Sequence, residues 1–229
     1  MASNTPAYAW MNGEVIPWEN ARIHVHTDAV RYGANVFEGI RAYASPDKQQ
    51  LYIFRNREHM DRLYNSSMKI LRMQLKWTAE DLTRGMLEML RANNAHEDVH
   101  IRPLVYFGAG EGYSFDPNKI EVGCSIVGIE RPAKESLWKG ISARVSSWRR
   151  IDDETMPPRV KAGANYLNSR YAMMDAKIDG YDTAIIMNQR GKVAEGPGAC
   201  LMMVRQGKVV GVWCTPLSRQ SWGEFLLGS

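Results

Sequence analysis

Two residues of this chain have side chains suited to working together on a carbonyl group. Lys161 stands in Arg159-Val160-Lys161-Ala162-Gly163-Ala164-Asn165-Tyr166-Leu167, a lysine followed by small residues and then Asn-Tyr at the mouth of a helical pattern. A primary amine so placed can trap an aldehyde. Glu195 stands in Ala194-Glu195-Gly196-Pro197-Gly198, one acid pinned in a tight turn. Brought into one pocket, the lysine would hold an aldehyde cofactor and the acid its ring nitrogen. That combination stabilises a carbanion beside a substrate amine. Neither residue decides the matter alone, because most lysines are solvated.

The elements around them must supply the rest, and the composition bounds what they can be. A chain of 229 residues can bury one large core or two modest ones. Its hydrophobic content of 45% and charged content of 24% are those of an ordinary globular protein. The net charge is +4 with no basic block, which disfavours nucleic acid as a partner. Cys124, Cys200 and Cys214 are spaced too widely for a metal motif, and their odd number suggests reduced thiols. No apolar run reaches membrane-span length, and residues 1–9 lack the pattern of a leader. The expectation is a cytoplasmic protein without membrane or nucleic-acid partners.

In chain order, residues 7–16 read as a hairpin turning at Asn12-Gly13, since that pair supplies the positive φ angles of a tight type I′ turn. Alternation predicts strands over 22–26, 35–43 and 51–54, with a short helical piece at 28–33. Met60, Leu63, Tyr64, Ser67, Ile70 and Leu71 recur at helical spacing. Thr78 then caps a second helix carrying Leu82, Met86, Met89 and Leu90. Strands follow at 99–107, with His100 and Arg102 on one face, and at 120–129. A polar, proline-bearing stretch at 130–134 is the linker candidate. Beyond it lie a strand at 141–145, a polar loop at 152–158 and a helix whose stripe is Leu167, Tyr171, Met174 and Ile178. Short strands at 183–187, 193, 200–204 and 209–213 complete the pattern. The order predicts an α+β protein in two parts, residues 1–132 and residues 133–229.

Several separated motifs in this order resemble the branched-chain amino acid aminotransferases, which are fold-type IV pyridoxal-phosphate enzymes. They are Trp10-Met11-Asn12-Gly13-Glu14, Tyr32-Gly33, Val36-Phe37-Glu38-Gly39-Ile40-Arg41, and residues 57–63. Ile101-Arg102-Pro103-Leu104, Ser146-Ser147-Trp148, residues 161–167 and Glu195-Gly196 continue the likeness. The resemblance implies pyridoxal 5'-phosphate as cofactor. It also implies amino-group transfer between L-leucine, L-isoleucine or L-valine and 2-oxoglutarate, in a homodimer or higher homo-oligomer. It makes Lys161 the lysine that forms the Schiff base and moves the proton. Tyr166 becomes the partner of the cofactor's phenolic oxygen, Glu195 that of its pyridine nitrogen, and Arg62 that of its phosphate, a task suited to a forked cation. Around Glu195, glycines would let backbone approach the ring. Tyr32 and Phe37 become walls of an apolar side-chain pocket, and Arg102 the group that recognises the acidic co-substrate. Glu38, in the same motif, reads as a buried structural acid.

Three departures qualify the likeness. His100 stands where many members of the family carry tyrosine, which implies altered acid recognition. Gly196-Pro197-Gly198-Ala199-Cys200 replaces a Gly-Ser-Gly-Glu-Asn run, losing polar side chains and keeping the turn. After Ser218 the chain no longer matches, whereas the family continues into a phosphate-binding Gly-Ile-Thr helix start. An incomplete second domain is therefore expected, with strands 200–204 and 209–213 poorly covered. Within the fold, a D-amino acid aminotransferase or aminodeoxychorismate lyase is the competing reading. Outside it stands a non-catalytic remnant.

Overall fold

The computed structural model describes residues 5–110, 115–131 and 136–211. Most of the linker candidate and all of the tail beyond residue 211 lie outside the described residues. The chain divides into two compact units. The first comprises Met1–Lys134 together with Lys161–Gly163; the second comprises Glu135–Val160 and Ala164–Ser229.

The first unit is built on a seven-stranded antiparallel sheet. Its strands are β1 (Tyr8–Met11), β2 (Glu14–Pro17), β3 (Asn35–Phe37), β4 (Ile40–Ala44), β5 (Leu51–Ile53), β6 (Val99–Gly110) and β7 (Ile120–Glu130), in the order β2-β1-β7-β6-β4-β5 with β3 also on β6. The β1–β2 hairpin turns as its sequence predicts, with Asn12 and Gly13 at φ of 51° and 104°. Helix α1 (Asp28–Tyr32) ends at Gly33 in the left-handed conformation. Residues 22–26 form no strand. The His24 carbonyl accepts the Thr27 N–H at 3.1 Å, and the His24 ring accepts that of His26. Alternation there finds no neighbouring strand to bond, so local turns satisfy the backbone, leaving Val25 74% exposed.

Residues 35–42 keep one register against β6, yet the ladder lapses at Glu38-Gly39 between β3 and β4. Pro103 explains the lapse. Its carbonyl accepts the Glu38 N–H at 2.9 Å, but proline has no N–H to return the bond. Alternation then assigns the two faces. Glu38, Ile101, Pro103 and Val105 share one, while Phe37, Arg41, His100 and Arg102 share the other.

The helical layer begins with α2 (Asn56–Asp61), passes through a π-helical segment (Arg62–Met68) and closes with α3 (Lys69–Leu71). The wider π turn re-aims the stripe expected from a 3.6-residue period. Met60, Leu63, Ser67 and Met68 are buried, whereas Ile70 is exposed. Helix α4 (Ala79–Ala92) starts with a complete capping box, in which Thr78 Oγ1 accepts the Asp81 N–H and the Asp81 carboxylate accepts that of Thr78. It buries Leu82, Met86 and Met89 within a core that also holds Val99, Ile101, Cys124 and Ile126. Burial of each large apolar side chain contributes about 1.5–3 kcal/mol. A Cβ at Gly85 would stand 2.7 Å from the Trp10 indole, so only glycine admits that ring against the helix.

The second unit holds α5 (Ser136–Lys139), β8 (Ala143–Arg149), α6 (Asn165–Ile178), β9 (Thr183–Met187), β10 (Val193–Glu195), β11 (Met202–Arg205) and β12 (Lys208–Gly211). Strands β8 and β9 pair in parallel, which requires a crossover, and α6 lies within it. The helix buries Ser169, Ala172 and Ala176, the two alanines packing with Ala184 and Ile186 of β9. Leu167, Tyr171, Met174 and Ile178, the stripe expected from sequence, are instead exposed. Small residues let α6 lie close on a narrow sheet, a fit that large side chains would prevent. The β11–β12 hairpin is exposed along its whole length.

Candidate active site

Lys161 is held by backbone on the edge of β3. Its N–H donates to Ser67 Oγ at 3.2 Å and its carbonyl accepts the Phe37 N–H at 3.0 Å. Ala162 bridges Val36 in antiparallel fashion, and the Gly163 N–H donates to the Asn35 carbonyl at 3.0 Å. The three residues thus run as an added strand against β3. Glycine at 163 leaves room for the Asn35 side chain, since a Cβ there would stand 2.5 Å from Asn35 Oδ1 and force that amide to move. Ser67, buried on the π-helical segment, escaped sequence reasoning. Its only signal was an apolar-stripe position occupied by a hydroxyl.

The Lys161 ammonium lies 5.2 Å from the centre of the Phe37 ring, and the Arg102 guanidinium 4.7 Å from the same centre. A buried aromatic ring therefore joins the predicted anchor lysine to the predicted acid-recognising arginine. His100 lies on the same sheet face as Arg102 and Arg41. A Cβ on Gly39 would stand 3.0 Å from His100 Nε2, so the imidazole occupies the space left by that glycine. Burial, then the charges of Arg102, Arg131, Arg41 and Lys161, push the His100 pKa down to about 4. The ring is accordingly neutral near pH 7.

Arg62 opens the π-helical segment and grips Glu38 with both arms of its fork. Nε donates to Oε1 at 2.5 Å and Nη2 to Oε2 at 2.6 Å. His59 Nδ1 lies 2.8 Å from Oε2. Burial would raise the Glu38 pKa, but hydrogen bonds from His59 and Arg62, with the charges of Arg62 and Lys161, outweigh it and leave the pKa lowered. Tyr32 sits half-exposed at the end of α1, its ring tilted against Phe115 and beneath the Arg31 guanidinium.

Tyr166 and Glu195 belong to the second unit. Tyr166 lies in the first turn of α6. Just before it, the buried Asn165 side chain donates to the carbonyls of Pro157 and Val160 at 3.0 and 2.9 Å, tying the loop to the helix start. Glu195 ends β10 in an ion pair with Arg150, whose Nη1 also donates to the Asn165 carbonyl at 3.3 Å and Asn168 Oδ1 at 3.2 Å. The approach of Arg150 Nε to Glu195 is close in distance yet poorly aligned for a hydrogen bond. In the sequence Arg150 stood out only as half of a short basic pair.

The fold agrees with the comparisons to known proteins. The family described as Amino-transferase class IV matches residues 35–221, and the chain belongs to that family. It is 39% identical over 207 residues to a probable branched-chain-amino-acid aminotransferase of Aquifex aeolicus (strain VF5), covering 89% of this chain and 65% of that protein. The crystal structure of a branched-chain aminotransferase from Thermoproteus uzoniensis with norvaline matches with a TM-score of 0.81 and 38% identity, over 89% of this chain and 67% of the other. That of a branched-chain amino acid aminotransferase from Thermobaculum terrenum, in its PLP-form, matches with a TM-score of 0.78 and 38% identity, over 91% and 67%. The fold-type IV architecture expected from the motifs is thus found. The chain spans about two thirds of the length of these relatives. No helix among the described residues is long and apolar enough to cross a membrane.

Proposed function

We propose that this sequence encodes the catalytic residues of a pyridoxal-phosphate-dependent transfer of amino groups between L-leucine, L-isoleucine or L-valine and 2-oxoglutarate. The observation that carries the reading is the Lys161–Phe37–Arg102 cluster, supported by family membership. The donor set suits the cofactor: a primary amine for its aldehyde and, in Arg62, a permanently charged guanidinium for its phosphate. When bound, that cofactor supplies an electron sink for the carbon bearing the amine.

The chain's own residues supply the rest. Lys161 Nζ would anchor the aldehyde and, once the substrate amine has displaced it, would carry the proton on and off the reacting carbon. Its backbone is fixed by Ser67, Phe37 and Asn35, so only the side chain needs to move. With the cofactor bound, Arg62 would hold its phosphate, and the resemblance assigns Tyr166 to the phenolic oxygen and Glu195 to the ring nitrogen. The Phe37 ring offers an apolar wall to a branched side chain, and such a wall rewards burial without asking for a hydrogen bond. Tyr32 is assigned a second wall. Arg102 on the same ring, beside neutral His100, offers the cation that a dicarboxylate needs.

A substrate panel tests the reading. Branched-chain L-amino acids should yield 2-oxo acids with 2-oxoglutarate as acceptor. Replacing Arg102 by alanine should slow the reaction with glutamate more than that with leucine. Turnover of D-alanine in place of L-leucine would contradict the assignment.

A further inference from the structure

Glu38 is the most thoroughly committed acid of the first unit. Its side chain is 0% exposed, and its two oxygens meet both arms of Arg62, the His59 ring and, at 3.3 Å, the Gly39 N–H. Burying a carboxylate is costly even when it is paired, and apolar replacements of such pairs are often as stable or more so. Stability alone is therefore a weak reason for an acid here. What the contacts do achieve is geometric. Alternation sets Glu38 on the face it shares with Ile101 and Pro103, and its two parallel hydrogen bonds fix the plane of the Arg62 guanidinium. His59 limits rotation of the carboxylate. Since an ionised carboxylate only accepts, the proton of that contact resides on His59 Nδ1.

We propose that Glu38, steadied by His59, is a positioning residue that orients the Arg62 guanidinium for a phosphate monoester on the cofactor. The proposal rests on Arg62 as the phosphate ligand, and it assigns Glu38 no contact with the cofactor. Glu38→Gln can keep a single acceptor oxygen toward Arg62, so the two-armed grip is lost while side-chain volume is kept.

The readout is the ratio of affinities for pyridoxal phosphate and for pyridoxal, which lacks the phosphate, measured by tryptophan fluorescence titration of the full chain. Disturbance of the fold weakens both ligands alike; loss of an oriented arginine weakens only the phosphorylated one. Glu38→Gln should reduce the preference for pyridoxal phosphate about 10-fold or more, with pyridoxal affinity changed less than about twofold. Glu38→Asp, which keeps the charge and shortens the reach, should fall between it and the parent chain. Arg62→Ala serves as the reference. A parent-like ratio in Glu38→Gln with a collapsed ratio in Arg62→Ala would overturn the role of Glu38 alone, as would equal losses for both ligands. If Glu38→Gln does not fold, a parent-like ratio in Glu38→Asp overturns it. A parent chain without preference, or an unchanged ratio in Arg62→Ala, would overturn the Arg62 assignment and the proposal with it.

Discussion

Gly163 shows how much a single missing atom decides. A Cβ there would fall 2.5 Å from Asn35 Oδ1, so Gly163→Ala must displace the Asn35 amide or move the added strand, and Lys161 with it, off β3. Overpacking of this kind costs about 1–3 kcal/mol. Thermal melting should show the loss, together with a reduced yield of covalent cofactor adduct; parent-like values for both would contradict the tethering role. Glu195→Gln should act differently, lowering turnover about 10²-fold while cofactor affinity changes little, because an amide holds a protonated ring nitrogen poorly. Unchanged turnover would remove Glu195 from that role. Type and local turn marked Lys161 and Glu195 only as candidates, and the family resemblance gave them their roles. Ser67, His59 and Arg150 were not so marked, because each acts through a neighbour distant in sequence.

At the scale of elements, local signals read well and mutual ones poorly. The Asn12-Gly13 turn and the Thr78 capping box are complete within a few residues, and both are found as expected. Thr78→Ala should destabilise the first unit by about 1 kcal/mol, visible as a lower urea midpoint at an unchanged slope. No shift in midpoint would show that the box is dispensable. The strand expected at 22–26 failed because no strand among the described residues pairs with it. The π turn and the buried face of α6 were illegible for a related reason. A 3.6-residue count assumes uniform winding and large apolar residues inside, yet here Arg62–Met68 is π-helical and α6 packs through alanine and serine. The lapse between β3 and β4 follows from Pro103, a residue on another strand.

Across the whole molecule, ionisable groups set the acid side of stability. His100 titrates near 6.5 when unfolded and near 4 when folded, so between those values the unfolded state binds more protons. Stability is therefore flat in this respect above about pH 6.5 and falls as pH drops toward about 4. Glu38 adds a second loss at lower pH, since its folded pKa lies below the ordinary 4.5 and its contribution vanishes as pH falls through the lowered value. His100→Gln should flatten the first window and leave the second. Denaturant melts at pH 7, 5.5 and 4 check this, and a parent-like slope in the variant would contradict the burial argument. The central claim remains that Lys161 is the covalent anchor for pyridoxal phosphate. Borohydride reduction of the cofactor-treated chain, followed by peptide mapping, tests it most directly. The pyridoxyl group should appear on the peptide containing Lys161 and be absent from Lys161→Ala; a stoichiometric label on any other lysine would contradict it.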